Sequence, residues 1–498
     1  MLAKLTQSAA VLDDAALARF DHVLVVLPPA DRLDALPEFP QRARLESVLK
    51  RRKMKIEDLG KTPLSVHLEH GGLCAYVMID RNKPRFEQLT SLRKAIGTLL
   101  EENPRGIAIG VFGDAALRQA LARESLYVAW VNGVRLPTRK KKDDAQALQR
   151  IHLFGARGDF DQIAVLARAN TLARELTALP PNELTPMRYR ERLRQIARHQ
   201  RWRIEEFDYR ALRKMGAGAF AAVAQGSDEQ DAAIVHLSYV PKNTRLSVAL
   251  VGKGICFDTG GHNLKSAKYM AGMHEDMNGS AVALGLMQAL AEQRFPARVD
   301  AWLAIAQNHL SPAAYKQNDI VTALDGTTIE VVHTDAEGRM VLADTLTMAS
   351  RGAPNLIIDF ATLTGSMHYA LGTRYSGVFA SEPELGQLAV AAGQASGERV
   401  CLFPMDADYE QTLESKVADV KQCTLEGDAD HILAARFLKR FTHDKAWLHV
   451  DLSASNSGGG LGPVGSDITG FGVVWGVELL ARWIEAKPAA AKPRRRGA

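Results

Sequence analysis

VVHTDAEGRMVLA, residues Val331–Ala343, is the stretch around which the second half of the chain is organised. The β-branched run before it, Thr328–Val332, predicts a strand, and the apolar residues after it recur with helical spacing. Two carboxylates, Asp335 and Glu337, stand at the turn between strand and helix. Carboxylates this close disfavour each other's ionisation unless positive charge stands between them. Arg339 can supply that charge to one of them, and a metal ion can supply it to both.

A second stretch, Leu250–Ala281, brings further groups of the same kind. The run Leu246–Val251 predicts a strand, and glycines 252, 254, 260 and 261 indicate a loop at its end. The polar residues expected on this loop and at the start of the following helix are Lys253, Asp258, Lys265 and Asp276.

Together the two stretches hold four carboxylates, which are enough to bridge and bind two divalent ions. Lys253 offers an unusual nitrogen ligand, because an ammonium group beside metal cations loses its proton readily. Each residue also has a simpler interpretation as a helix cap, a turn residue or a solvated lysine. The spacing of the whole set favours the metal site.

In this order, the motifs resemble those of the leucyl aminopeptidase (cytosol aminopeptidase) family of dinuclear zinc metallopeptidases. The likeness covers roughly residues 165–485. The matching segments are HTDAEGR (His333–Arg339), KGICFDTGG (Lys253–Gly261), DMNGSA from Asp276, the run Asp359–Ala380 and HVDLSAS (His449–Ser455).

The resemblance implies an enzyme that releases amino-terminal residues, leucine or related ones, from peptides. It implies two divalent ions per subunit, zinc or manganese, and assembly as a homo-hexamer. The implied metal ligands are Lys253, Asp258, Asp276, Asp335 and Glu337. Lys265 would stabilise the oxyanion, and Arg339 would hold a bicarbonate ion that shuttles the proton. The implied substrate-binding residues are Met273, Thr362, Leu363, Gly365 and Ile468.

The sequence departs from the family pattern at four places, none of which removes an implied ligand. His333 replaces an asparagine, Asn278 and Asp467 each stand where a glycine is typical, and Gly427–His431 reads GDADH instead of a run of small residues. An acidic residue near the substrate pocket, as we expect for Asp467, would favour basic or polar side chains. His262, His274 and His333 lie inside the motifs, but the family uses no histidine ligand there.

The alternation of strand-like and helical runs predicts an α/β fold. We expect a smaller α/β domain at residues 1–160, which the resemblance assigns to assembly, and a larger catalytic domain at 161–485. The catalytic domain should contain a mostly parallel sheet covered by helices, with ligand sites at the carboxyl ends of its strands. Within the first domain, Tyr127–Val131 is predicted to be a strand. The remaining residues, 486–498, are predicted to form a basic, disordered tail.

The composition is that of an ordinary globular protein, with 46% hydrophobic and 24% charged residues. The four cysteines have no metal-binding or disulfide spacing. No apolar run is long enough to span a membrane, and we expect a cytoplasmic protein.

Two other function classes remain open at this stage. The net charge of +5 and the basic clusters Lys50–Lys55 and Arg139–Lys142 leave room for binding to DNA, but the charge is small for this length and no nucleic-acid-binding motif accompanies it. A non-catalytic metal-binding scaffold is the other class, but it would not need Lys265 and Arg339.

Overall fold

The structure, a computed structural model, describes residues 1–227, 231–242 and 244–487. The predicted basic tail lies outside these ranges from residue 488 onward. The strands of the described residues form a six-stranded sheet, an eight-stranded sheet and a small three-stranded sheet. The fold is therefore α/β, as predicted.

The strands are, in chain order, β1 (Lys4–Ser8), β2 (His22–Leu27), β3 (Leu64–His67), β4 (Leu73–Met78), β5 (Gly106–Val111), β6 (Arg150–Phe154), β7 (Arg203–Asp208), β8 (Ala233–Tyr239), β9 (Ser247–Asp258), β10 (Arg298–Asn308), β11 (Ile320–Thr322), β12 (Thr328–Glu330), β13 (Leu356–Ala361), β14 (Ser376–Ala380), β15 (Val400–Leu402), β16 (Val420–Lys421) and β17 (Trp447–Asp451).

The α-helices are α1 (Asp14–Leu17), α2 (Arg42–Arg52), α3 (Arg85–Leu100), α4 (Ala115–Asn132), α5 (Asp161–Thr177), α6 (Pro186–Gln200), α7 (Tyr209–Met215), α8 (Gly218–Ala224), α9 (Ala267–Met270), α10 (Asn278–Glu292), α11 (Glu337–Arg351), α12 (Gly365–Leu371), α13 (Pro383–Ser396), α14 (Asp430–Arg440) and α15 (Val473–Ala486). Short 3₁₀-helices occupy Leu33–Ala35, Ile56–Gly60, Met273–Met277 and Ala407–Leu413.

The eight-stranded sheet has the order β15-β14-β17-β13-β9-β10-β8-β7. Its central strands β17, β13, β9 and β10 run parallel to one another, whereas β14, β8 and β7 join through antiparallel pairs. Both faces are covered, because alternate residues of β9 enter different cores: Val248 and Leu250 pack on one face, Ala249 and Val251 on the other. This accounts for the nearly continuous apolar sequence of the strand.

The six-stranded sheet has the order β1-β6-β5-β2-β4-β3, and only the pair of β3 with β4 is antiparallel. It too is buried on both faces, as Val23 and Val25 face one core and Leu24 and Val26 the other. Helix α5 contributes residues to the cores of both large sheets: Ala169 packs with the eight-stranded sheet and Ala167 with the six-stranded one.

One predicted strand is wrong. Tyr127–Val131 belongs to α4, which begins at Ala115. The side chain of the preceding residue, Asp114, caps the helix by accepting a hydrogen bond from the backbone N–H of Leu117 at 2.8 Å. All five residues are buried. A short run that is apolar on every side has no period that would separate a buried helix from a strand.

The predicted loop after residue 251 is also corrected, since Gly252 and Gly254 lie inside β9. A Cβ at Gly252 would lie 2.5 Å from the Cα of Ser280 in α10, and one at Gly254 would lie 2.9 Å from the carbonyl oxygen of Ala304. These glycines permit close packing and do not end the strand. Lys253 is consequently a strand residue, and Asp258 is the last residue of the strand.

Among the described residues, none of the helices combines the length and apolar character needed to cross a membrane.

Candidate metal centre and substrate pocket

The implied ligands meet at the edge of the eight-stranded sheet where the parallel strands end, as expected for an open α/β sheet. Asp258 ends β9, Thr362 and Leu363 follow β13, and Asp451 ends β17. The turn before α11 brings Asp335 to the same edge.

Asp258 is held in place by the turn that follows it. Its Oδ1 accepts hydrogen bonds from the backbone N–H of Gly260 and from the side-chain amide of Asn308, both at 2.8 Å. Gly260 has φ of +85°, a conformation that favours glycine, and a Cβ there would meet the carbonyl oxygen of Asn263 at 2.5 Å. This turn leads the chain back to Lys265.

Two lysine ammonium groups lie among the carboxylates. Lys265 Nζ lies 2.9 Å from Asp258 Oδ2 and 2.5 Å from Asp335 Oδ1. Lys253 Nζ lies 2.8 Å from both Asp276 Oδ1 and Glu337 Oε1.

Thr362 links this cluster to β13 through two hydrogen bonds. Its carbonyl oxygen accepts one from Lys253 Nζ at 2.9 Å, and its hydroxyl donates one to Asp276 Oδ1 at 2.6 Å. Thr362, which was predicted to bind substrate, therefore also contacts two implied metal ligands, Lys253 and Asp276.

The donor set fits divalent cations. Asp258, Asp335 and Glu337 each offer a carboxylate oxygen within 4.8 Å of the others. Asp276 adds a fourth carboxylate, and its buried Oδ2 has no hydrogen-bond partner among the described residues. Three of these four carboxylates are buried and Asp335 is partly exposed. Two lysines cannot balance four carboxylates, so the cluster carries a deficit of positive charge that divalent ions would fill.

The pKa values of these carboxylates reflect the same deficit of positive charge. Burial, together with the neighbouring charges of Asp258 and Glu337, raises the pKa of Asp335 to about 7. Burial also raises the pKa of Asp276 and of Glu337, and other carboxylates add to both shifts. For Lys253, burial lowers the pKa, but Asp276 and Glu337 outweigh it and leave the pKa above its ordinary value.

Arg339 lies in the first turn of α11 with only 2% of its surface exposed. Its Nη2 donates to both carboxylate oxygens of Asp430, at 3.0 and 2.9 Å, and its Nη1 donates to the carbonyl oxygen of Gln422 at 2.9 Å. Its Nε is buried without a partner among the described residues. Asp430 belongs to the GDADH segment, so that departure from the family pattern supplies a carboxylate to this arginine.

A cavity of about 700 Å³ opens over the cluster. Of the predicted substrate-binding residues, Met273, Thr362, Leu363 and Gly365 line it. Ile468 is not in its wall. The backbone of Ile468 pairs with that of Asn456, which does line the cavity, so Ile468 supports the wall from behind.

The prediction of an acidic pocket residue named the wrong position. Asp467 is not in the cavity wall, because its carboxylate accepts a hydrogen bond from the backbone N–H of Gly459 at 2.8 Å and its carbonyl accepts one from Ser457. Glu275 lines the cavity instead. The sequence feature that could have identified Glu275 as a pocket residue is its position directly before the implied ligand Asp276.

The other departures have structural roles. His333 Nδ1 accepts a hydrogen bond from the backbone N–H of Asp335 at 3.3 Å and so supports the turn that carries this carboxylate. Burial and the charge of Lys265 lower the pKa of His333. Asn278 is buried and donates to the hydroxyl of Thr177 at 3.0 Å, which joins α10 to α5.

Sequence reasoning missed the residues that support the cluster from outside the motifs. Asn308, at the end of β10, donates to Asp258 and also to the carbonyl oxygen of Thr334, the latter at 3.0 Å. The hydroxyl of Tyr315 donates to the same carbonyl at 2.6 Å. Both residues fix the segment before Asp335, and neither belongs to a motif that the sequence would single out.

Comparisons with known proteins agree with this geometry. The profile described as "Cytosol aminopeptidase family, catalytic domain" matches residues 171–475. A "Probable cytosol aminopeptidase" of Roseiflexus castenholzii is 38% identical over 357 residues, covering 70% of this chain and 72% of the relative. Another, of Nitrobacter winogradskyi, is 36% identical over 406 residues, covering 78% and 80%.

A solved structure is similar over nearly the whole chain. "Bottromycin maturation enzyme BotP in complex with Mn" has a TM-score of 0.78 and 28% sequence identity, and the alignment covers 93% of this chain and 99% of that one.

The fold and the carboxylate cluster define a metal-dependent hydrolase of the aminopeptidase class. The chain belongs to the cytosol aminopeptidase family.

Proposed function

We propose that this chain releases amino-terminal residues from peptides by using two divalent metal ions bound at the carboxyl edge of β9, β13 and β17. The observation that carries the proposal is the cluster of four carboxylates, three of them buried, whose charge two lysines compensate only in part. The manganese named for the similar BotP structure supports divalent ions of this kind.

Asp258, Asp335 and Glu337, whose carboxylate oxygens lie within 4.8 Å of one another, would hold the ions together with Asp276 and Lys253. When bound, the ions supply positive charge that lowers the pKa of a water molecule and polarises the scissile carbonyl. Oxygen and amine donors suit zinc or manganese.

Lys265 is the residue proposed to stabilise the oxyanion. Its side chain is 14% exposed and lines the cavity, with the ammonium group beside Asp258 and Asp335. A fixed positive charge in this position favours the charge that develops on the carbonyl oxygen.

The backbone that follows β13 would position the free amine of the substrate. The N–H of Leu363 donates to Asp451 at 3.1 Å and so anchors this segment beside the end of β17. The carbonyl of Leu363 is proposed to accept from the amine. A substrate with a blocked amino terminus would lose this contact and should react poorly.

Binding of bicarbonate by Arg339 stays a prediction. Both Nη atoms are engaged, one by Asp430 and one by the carbonyl oxygen of Gln422. An anion would have to displace Asp430 or approach the buried Nε.

The domain boundaries near residues 160 and 485, the homo-hexamer and the cytoplasmic location likewise remain proposals. The name of the family and of its relatives supports the location.

The test is hydrolysis of aminoacyl p-nitroanilides by the purified protein, first after chelation and then after addition of manganese or zinc. We expect activity to return with metal and only for substrates with a free amine. Asp335→Ala should remove most of the activity. Asp428→Ala is the matched control, because Asp428 is exposed. If neither metal gives hydrolysis of any substrate, the proposal fails.

The alternative of DNA binding stays a prediction. In the two basic clusters, Lys50 pairs with Glu46 and Arg139 pairs with Glu183, while Arg51 and Lys140 are exposed. Steeply salt-dependent binding to duplex DNA would bring this alternative back.

A further inference from the structure

We infer that Glu275 selects the side chain of the residue that is released, and that the pocket takes a cationic side chain such as that of lysine or arginine. This inference rests on the proposed aminopeptidase function. It concerns the residue preference, which the family does not determine.

Glu275 lies in the 3₁₀-helix Met273–Met277, directly before Asp276. It lines the cavity and is half-buried. In a 3₁₀-helix, consecutive side chains point roughly 120° apart. The side chain of Glu275 therefore points to one side of the proposed metal ligand Asp276. A substrate whose amine binds beside the Leu363 carbonyl would place its first side chain in the same cavity that Glu275 lines.

The charge of Glu275 has no cation to balance it among the described residues. The cationic residues that line the cavity are already engaged: Lys253 and Lys265 by the carboxylate cluster, and Arg339 by Asp430. A half-buried carboxylate without a cation in a cavity wall favours a positively charged ligand.

The remaining acid of the wall does not compete for the same ligand. Asp451 is 2% exposed, and its two oxygens accept hydrogen bonds from the N–H of Leu363 and the hydroxyl of Thr364. Its acceptors are used within the protein, whereas Glu275 has an oxygen left for a ligand.

Glu275 is also held in a defined position. Its Oε2 accepts a hydrogen bond from the side-chain amide of Asn456 at 2.8 Å. Asn456 is fixed in turn, because its backbone pairs with that of Ile468 and the next residue, Ser457, donates to the carbonyl of Asp467. The other oxygen, Oε1, has no hydrogen-bond or ion-pair partner among the described residues.

The wall near Glu275 suits the whole of a long cationic side chain. Met273 offers an apolar surface for the methylene groups, while Ser453 and Asn456 are polar. Lysine and arginine bind in this manner, with the stem against apolar atoms and the charged end at polar groups.

The experiment compares kcat/KM for lysyl, arginyl, leucyl, methionyl and glutamyl p-nitroanilides in the metal-loaded enzyme. The variants are Glu275→Gln, which keeps the shape and an acceptor for Asn456, and Asp467→Asn, a control acid outside the cavity. We expect the wild type to prefer lysyl and arginyl substrates. Glu275→Gln should lower kcat/KM for these by about 10- to 100-fold, mostly through KM, and leave the leucyl substrate nearly unchanged.

The outcomes separate the two proposals. Turnover of the leucyl substrate by Glu275→Gln shows that this variant is folded and metal-loaded. If the wild type prefers leucine and the ratio of lysyl to leucyl activity is the same in Glu275→Gln, the role of Glu275 is overturned and the aminopeptidase function stands. If Asp467→Asn changes that ratio and Glu275→Gln does not, the acid was assigned wrongly. Failure to cleave any substrate would overturn both proposals.

Discussion

Gly338 is the position where a single added methyl group should lower both stability and activity. This glycine lies in the first turn of α11 and packs against the side chain of Lys253. A Cβ at this position would lie 2.7 Å from both Cε and Nζ of Lys253 and 2.9 Å from its Cδ. Carbon atoms in contact are normally about 3.5–4.0 Å apart, so the end of Lys253 must move by about 0.8 Å.

That displacement would disturb three short contacts of the Lys253 ammonium group. Lys253 Nζ lies 2.8 Å from Asp276, 2.8 Å from Glu337 and 2.9 Å from the carbonyl of Thr362. A movement of about 0.8 Å away from any of them lengthens that contact to about 3.6 Å, beyond hydrogen-bond range. We expect Gly338→Ala to lower the free energy of unfolding by about 1–3 kcal/mol through overpacking. Because misplacement of a ligand by about 1 Å can cost about 100-fold in rate, kcat/KM should fall by that order.

The assay is denaturant unfolding together with kcat/KM for a leucyl anilide in saturating manganese. Gly97→Ala is the matched control, since Gly97 lies within α3 and a Cβ there meets no atom within 4 Å. By helix propensity, that control should gain up to about 1 kcal/mol and keep full activity. If Gly338→Ala gives the same gain and full activity, the close packing of α11 on Lys253 does not constrain the site, and the reasoning is refuted.

Three further predictions concern other parts of the chain. Asp430→Ala removes the carboxylate that pairs with buried Arg339 and should lower the free energy of unfolding by about 2–4 kcal/mol, as measured with denaturant, whereas Asp428→Ala should change it little. Burial raises the pKa of Glu398 to about 7, above the value in the unfolded chain. The folded state therefore keeps a proton that the unfolded chain loses, and stability falls as the pH rises from 4.5, the usual glutamate value, to about 7; Glu398→Gln should remove this part of the fall. Manganese at about 100 times its Kd should raise the free energy of unfolding by about 2.7 kcal/mol, and Asp335→Ala should reduce this gain in thermal unfolding measurements.

Each of these predictions has a result that contradicts it. Equal stability of the Asp430 and Asp428 variants would mean that Arg339 needs no ionic partner. A Glu398→Gln protein with the same pH dependence as the wild type would place the titration elsewhere. An unchanged unfolding curve after chelation and metal addition would mean that the carboxylate cluster binds no divalent ion in the folded state.

The sequence predicted where the site lies better than it predicted the residues that hold the site in place. Asp335 and Glu337 were expected together because a strand and a helix flank them, and parallel strands bring their carboxyl ends to one edge. Asn308 could not be predicted, since its contact with Asp258 depends on the register between β9 and β10 across 50 residues.

The errors have physical reasons of the same kind. Gly252 allows α10 to pack closely on β9, and Gly254 allows β10 to do so. From the sequence alone, a glycine used for close packing looks the same as a glycine in a loop. Asp467 was placed at the pocket by its neighbours in sequence, but its side chain turns back to the backbone of its own loop. Local pattern does not show which way a loop side chain points.

The location of Lys253 and Asp258 on β9 has a consequence for how the site can open. This strand lies between β10 and β13 and is buried along almost its entire length. Its amide hydrogens can exchange with solvent only when the sheet itself separates, whereas the loop from Gly260 to Gly272 can open by itself. Two of the five proposed metal ligands therefore stay in the buried strand when this loop opens. Opening of the loop would displace Lys265, and recovery of the site would require the loop to return without any need for the sheet to refold.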